Sequence, residues 1–98
     1  MTKKNNADPP LGKVLGDFIK QNSLQQGMDR VDARQAWTQL MGQGVNSYTS
    51  AVELRGDTLY VSLSSSVLRE ELSLGKSKIV SMINEELGRE LIKKLVLR

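Results

Sequence analysis

Arg69, Lys76, Lys78, Lys93, Lys94 and Arg98 are the residues of this 98-residue chain whose types and spacing could do chemistry. Lysine and arginine in this arrangement can hold phosphates, which takes charge and reach rather than a reactive atom. Arg69 and Lys76 stand seven apart, two helical turns, and so fall on one side of a helix. With the last strand beside that helix, all six cations would line one groove. The competing reading is ordinary solubilising charge, because Glu70, Glu71, Glu85 and Glu86 are interspersed among them. Tyr60, on the outward side of a strand, is a further candidate to stack a base or touch a protein partner. A single aromatic is a thin platform, since sheets that bind single strands usually present two or three.

Little else could react. The chain has no cysteine and no histidine. That removes disulfides, thiol nucleophiles and thiolate metal sites, together with the usual base at neutral pH and the commonest transition-metal ligand. Glu70-Glu71 and Glu85-Glu86 are adjacent pairs, and neighbours on a helix point about 100° apart, so neither pair converges on a shared site. Glu86 and Glu90 beside Arg89 read as helix-end electrostatics. Gly75-Lys76-Ser77 ends like a phosphate-binding loop, but Glu70 stands where that pattern needs glycine, and a helix leads in where it needs a strand. Ser73-Leu74-Gly75-Lys76 matches a Ser-x-x-Lys pair without its companion elements. Arg55-Gly56-Asp57 spells an adhesion tripeptide where a hairpin must turn, and the turn accounts for all three. The sequence therefore predicts no enzyme, no cofactor and no metal.

Composition narrows the rest. Fourteen Lys and Arg against eleven Asp and Glu give a net charge of +3, which permits a polyanionic partner. Ninety-eight residues make one domain with a small core, 39% of the chain being apolar and four residues aromatic. No apolar run approaches the roughly 18–20 residues of a membrane span, and the start lacks the apolar stretch of a signal peptide. A cytoplasmic protein is expected.

The elements that must position the cations follow from periodicity. Residues 1–8 are polar and read as a flexible tail. Asp8 as N-cap and Pro9 at the first helical position open a helix over 9–22, whose stripe is Leu11, Val14, Leu15, Phe18 and Ile19. Residues 23–27 read as a connection. A second helix over about 28–42 buries Met28, Val31, Trp37, Leu40 and Met41, turns Asp32, Arg34 and Gln35 to water, and ends at Gly42 and Gly44. Trp37 belongs to the core. Strands over about 48–55 and 58–64 flank a Gly56-Asp57 turn, and Leu59, Val61 and Leu63 alternate with Tyr60, Ser62 and Ser64. Ser66 caps a helical stretch to about 88 with Leu68, Leu72, Ile79, Ile83 and Leu87 in one stripe. Gly75 makes it either one kinked helix or two short ones. A final strand covers Leu91–Leu97. The order is α-α-β-β-α(α)-β.

Taken in order, Trp37 with Met41-Gly42, Tyr48-Thr49, Gly56 through Leu63, Ser65 through Leu72, Ile83 through Gly88, and Ile92 with Val96-Leu97-Arg98 resemble the DciA-like family. The resemblance covers about 9–98. It implies an α+β, K-homology-like domain of type II character, a three-stranded sheet with helices packed on one face. It also implies a loader or accessory of the bacterial replicative helicase that binds DNA, with single strands or junctions as targets. The chain departs from true K-homology domains in lacking a Gly-x-x-Gly loop, for Gly75-Lys76-Ser77-Lys78 keeps only the first glycine. On this reading Arg69, Lys76, Lys78, Lys93 and Lys94 contact nucleic acid and Tyr60 stacks or meets a partner. The alternative is a protein-interaction module that binds no nucleic acid directly.

Overall fold

The computed structural model describes residues 11–98, with side chains from Ser23 onward. Its elements are α1 (Leu11–Asn46), β1 (Thr49–Arg55), β2 (Thr58–Leu63), α2 (Ser66–Ser73), α3 (Lys76–Leu87) and β3 (Lys94–Leu97). The sheet order is β1-β2-β3, with β1 antiparallel and β3 parallel to the central β2. This is an α+β architecture with helices packed against a mixed sheet. The expected tail over 1–8 and the Asp8-Pro9 helix start lie outside the described residues.

α1 is the first departure from the sequence reading. Residues 23–27, expected as a connection, are helical, and one helix replaces two. The segment holds no proline, a lone Gly27 costs only about 1 kcal/mol in a helix, and Gln25 Nε2 donates to Asp29 Oδ1 one turn on at 2.9 Å. Leu11 to Met41 then makes a rod of about 46 Å. The break comes at Gly42, whose φ of 78° and ψ of 174° interrupt the helix. That region of backbone space is essentially closed to residues with a side chain.

The buried side of α1 is only partly the expected one: Trp37, Leu40 and Met41 face the core, whereas Met28 and Val31 do not. Ala33, Ala36 and Trp37 are the residues enclosed, with Leu40, Met41 and Val45 packed beside them. Met28 and Val31, expected inside, are 59% and 49% exposed. Both positions fit a helical stripe, but the sheet approaches the side where two alanines let the backbones come close. Trp37 is fully enclosed, as expected, and its Nε1 donates to Thr49 Oγ1 at 3.3 Å. Thr49 in turn donates to the Val45 carbonyl at 2.9 Å, so the buried indole N–H is satisfied.

Alternation on β2 decides which side of the sheet is inside. Leu59, Val61 and Leu63 are buried, whereas Thr58, Tyr60 and Ser62 are partly exposed on the other side. Leu54 on β1 and Leu95 on β3 join the buried side, where Ile79 and Ile83 of α3 close over them. The hairpin turns in two residues, and only Gly56 takes a positive φ, 62°, matching a turn with glycine in its first central position.

Ser65, rather than Ser66, caps α2: its hydroxyl accepts from the Leu68 N–H at 3.1 Å. Ser65 holds the extended conformation that a cap needs, whereas Ser66 is already the first helical residue. Gly75 divides the following stretch into α2 and α3, which resolves the open choice in favour of two helices. Ile79 and Ile83 are buried, with Leu68, Leu72, Val80 and Leu87 packed around them as the stripe requires.

β3 starts at Lys94 instead of Leu91. The backbone of 91–92 is engaged by Asn84, whose Oδ1 accepts from the Leu91 and Ile92 amides, each at 3.0 Å. Asn84 Nδ2 donates to the Ile92 carbonyl at 2.8 Å. Pairing with β2 takes over only afterwards, where the Asp57 carbonyl receives the Lys93 amide at 2.8 Å and the Lys94 amide at 3.3 Å. Arg89, expected to serve a helix end with Glu86 and Glu90, instead reaches Asp29 at 2.8 Å and Asp32 at 3.1 Å on α1.

Two stability outcomes follow. Asn84→Ala leaves three partly buried backbone groups without their partner and is expected to lower unfolding free energy by about 2–3 kcal/mol in a urea titration. Gly42→Ala is expected to lose roughly 1–3 kcal/mol from backbone strain alone, because a Cβ there would meet no atom within 4 Å. Gly44→Ala, helical and equally open, should be neutral or slightly stabilising in the same titration.

Candidate nucleic-acid interface

Among the described residues no helix covers the second face of the sheet. Ala51, Glu53 and Arg55 of β1 lie on it, with Thr58, Tyr60 and Ser62 of β2 and Lys94 and Val96 of β3; Arg98 follows β3 on the same side. The register brings Glu53 directly opposite Tyr60 on one side and Val96 on the other. Arg55 and Arg98 both reach the tyrosine ring, with Cζ at 5.4 and 4.8 Å from its centroid. Both distances are within the range of attraction between a guanidinium and an aromatic face.

Glu53 ties the two arginines together. Its Oε1 lies 2.7 Å from Arg55 Nη2 and 3.6 Å from Arg98 Nη2. These side chains remain 49–62% exposed. Ion pairs so open to water contribute only about 0–1 kcal/mol to a fold, so the group is held in place without being needed for folding.

The cations singled out from sequence do not form a single cluster. Arg69 and Lys76 fall in separate helices, so the two-turn spacing that would align them does not apply. Arg69 is half-buried and spends Nη1 on the Leu63 carbonyl at 2.9 Å, closing the end of β2. Lys76 and Lys78 are exposed in the first turn of α3. Lys93 and Lys94, also exposed, enter β3 beside the other end of that helix. About 12 Å of helix separates Lys76 from Asn84, which grips the residue before Lys93. Among the described residues none of these four lysines makes a salt bridge.

Tyr60 faces outward, as alternation predicts. Arg55 and Glu53 were not singled out, yet the structure sets them against Tyr60. The signal was available, because a two-residue turn fixes the register and puts Glu53 across from Tyr60.

Chemistry at this surface is limited to charge, hydrogen bonding and stacking. Among the described residues no group of Asp and Glu could hold a metal ion, and no helix is long and apolar enough to cross a membrane. No curated protein matches the chain. The family model described as Dna[CI] antecedent, DciA, matches residues 10–97, nearly the whole length. The chain thus belongs to the DciA family, which serves helicase loading in DNA replication and is associated with the replicative helicase rather than being an enzyme family.

Proposed function

We propose that this domain is a non-enzymatic DNA-binding adaptor in the cytoplasm, assisting the loading or operation of the bacterial replicative helicase. The observation that carries the reading is the uncovered sheet face, where Arg55 and Arg98 lie over Tyr60 and share one carboxylate, with Lys94 opposite Thr58 on the same face. Lys76, Lys78 and Lys93, exposed at the two ends of α3, extend the positive surface around the domain, and Arg69 adds a partly buried guanidinium beside it. Single-stranded or junction DNA is the target. The K-homology-like reading is supported by the order α-β-β-α-α-β, while the clamp normally supplied by a Gly-x-x-Gly loop is replaced by dispersed cations.

A second reading has its own support. Leu24, Met28 and Val31 leave an apolar strip on α1 that is 49–62% exposed, which suits docking of another protein. Retention of the helicase by the immobilised domain after nuclease digestion would favour direct docking. Its loss on digestion would favour DNA as the bridge.

Binding through about four phosphates gives a log–log salt slope near −3 for a single strand. Fluorescence titration of a labelled single strand, a duplex and a fork at several salt concentrations checks this. Lys76→Glu and Lys94→Glu are each expected to weaken binding and flatten the slope by roughly 1. Absence of binding to all three at low salt would exclude the DNA-binding reading.

A further inference from the structure

We propose that the open sheet face is a stacking site for single-stranded nucleic acid in which Glu53 occupies the place of a backbone phosphate. The proposal rests on the DNA-binding reading and assigns it a location and a mode. Arg55 and Arg98 come from the two opposite edges of the sheet and converge on one oxygen, Glu53 Oε1. Two guanidinium groups directed at a single anionic oxygen match what a phosphodiester oxygen offers. Beneath them lies the ring of Tyr60, among the described residues the only aromatic one on the strands of this face, with both guanidinium carbons within 5.4 Å of its centroid.

The arrangement is built to be displaced. Every member of the ion-pair group is about half exposed, so a ligand can reach the carboxylate and both arginines without moving the backbone. A phosphate that takes the guanidinium groups from Glu53 also draws them from the ring, and the freed face of Tyr60 receives the adjacent base. Duplex DNA gains less, because its bases are already stacked and cannot lie on the tyrosine. Thr58, Ser62 and Val96 around the ring are small enough to leave room for a base. With Lys94 included, the face keeps a positive excess after Glu53 is counted, which favours entry of a polyanion. Glu53 therefore sets a threshold: it competes with weak anions and yields to a ligand that supplies phosphate and base together.

The test uses the full chain, a labelled oligothymidylate of about 20 nucleotides and an abasic strand of equal length. Glu53→Gln, which keeps shape and removes charge, is expected to tighten binding about fivefold at low salt. Glu86→Gln, an equal charge change at an exposed position on α3, should alter it less than about twofold. Tyr60→Leu should weaken oligothymidylate binding about tenfold and leave the abasic strand unaffected, whereas Tyr60→Phe keeps the ring and should bind like the parent. Urea titration verifies that each variant is folded. Equal effects of Glu53→Gln and Glu86→Gln, with Tyr60→Leu silent, overturn the proposal. If Lys76→Glu and Lys94→Glu still weaken binding in that case, the broader DNA-binding reading survives. If the parent chain binds neither strand at low salt, both are lost.

Discussion

The sheet is buried on one side only, and the rest of the molecule depends on that asymmetry. Leu59, Val61 and Leu63 of the central strand are each at most 5% exposed, and the enclosed residues of α1, α3 and the two outer strands gather over them. Burial of a large aliphatic side chain contributes about 1.5–3 kcal/mol, so this face supplies most of what a 98-residue chain can spend against conformational entropy. A one-residue slip of β2 would turn Tyr60 and Ser62 inward and the three aliphatics outward. The register is consequently strict, and it determines which side chains reach water. Of the sheet's own side chains, those on the far side are the ones left open to water, because the near side is consumed by folding.

Keeping the third strand in place takes polar contacts as well. β3 is parallel to β2, so the chain must travel the length of the sheet through α2 and α3 before it can pair. Entry is prepared by Asn84 and by the Asp57 carbonyl at the hairpin tip, which together engage the backbone of 91–94. Exit is prepared at the other end, where Arg98 N–H donates to the Val61 carbonyl at 2.9 Å and its carbonyl accepts from Leu63 N–H at 2.7 Å. Those last bonds fix the backbone from which the Arg98 side chain reaches across to Tyr60. Position on the open face is thus inherited from strand pairing.

What the sequence disclosed divides along physical lines. Period-two alternation in β2 is local, and it identified the buried face and the outward Tyr60 correctly. The stripe from Leu68 to Leu87 was equally legible, since Ile79 and Ile83 are large, regularly spaced and enclosed. α1 was harder. Its enclosed positions are Ala33, Ala36 and Trp37, and alanine carries little hydrophobic signal, so the larger Met28 and Val31 were counted inside in place of the two alanines. The missing break at 23–27 has a similar cause, because a polar stretch with one glycine resembles a connection as much as a solvated helix. For the site, charge composition pointed to lysines in the second half, whereas the contacts between Arg55, Arg98 and Tyr60 depend on strand order. The Arg55 contact lies within one hairpin, but the third strand, distant in sequence, must be placed beside β2 before the Arg98 contact exists.

Strand order also explains why charged residues stand where they do. A three-stranded open sheet has two edges, and an unpaired edge invites association with other chains. In a two-residue hairpin Arg55 and Thr58 exchange both backbone bonds, so the N–H and C=O groups of Val52 and Leu54 point away from β2 toward the free side of β1. A cleft of about 510 Å³ lies between α1 and this edge, lined by Arg34, Trp37, Thr38, Asn46 and residues 49–53, Val52 among them. Glu53 and Arg55 flank those backbone groups on the outward face, and Lys93 and Lys94 guard the start of the opposite edge. Charge placed there raises the desolvation needed for a neighbouring strand to pair. The same half-exposed charges remain free to meet a polyanion, whose phosphates can satisfy arginine without desolvating the edge. A surface that must resist strand addition is in this way already suited to electrostatic binding, and the two demands select the same residues.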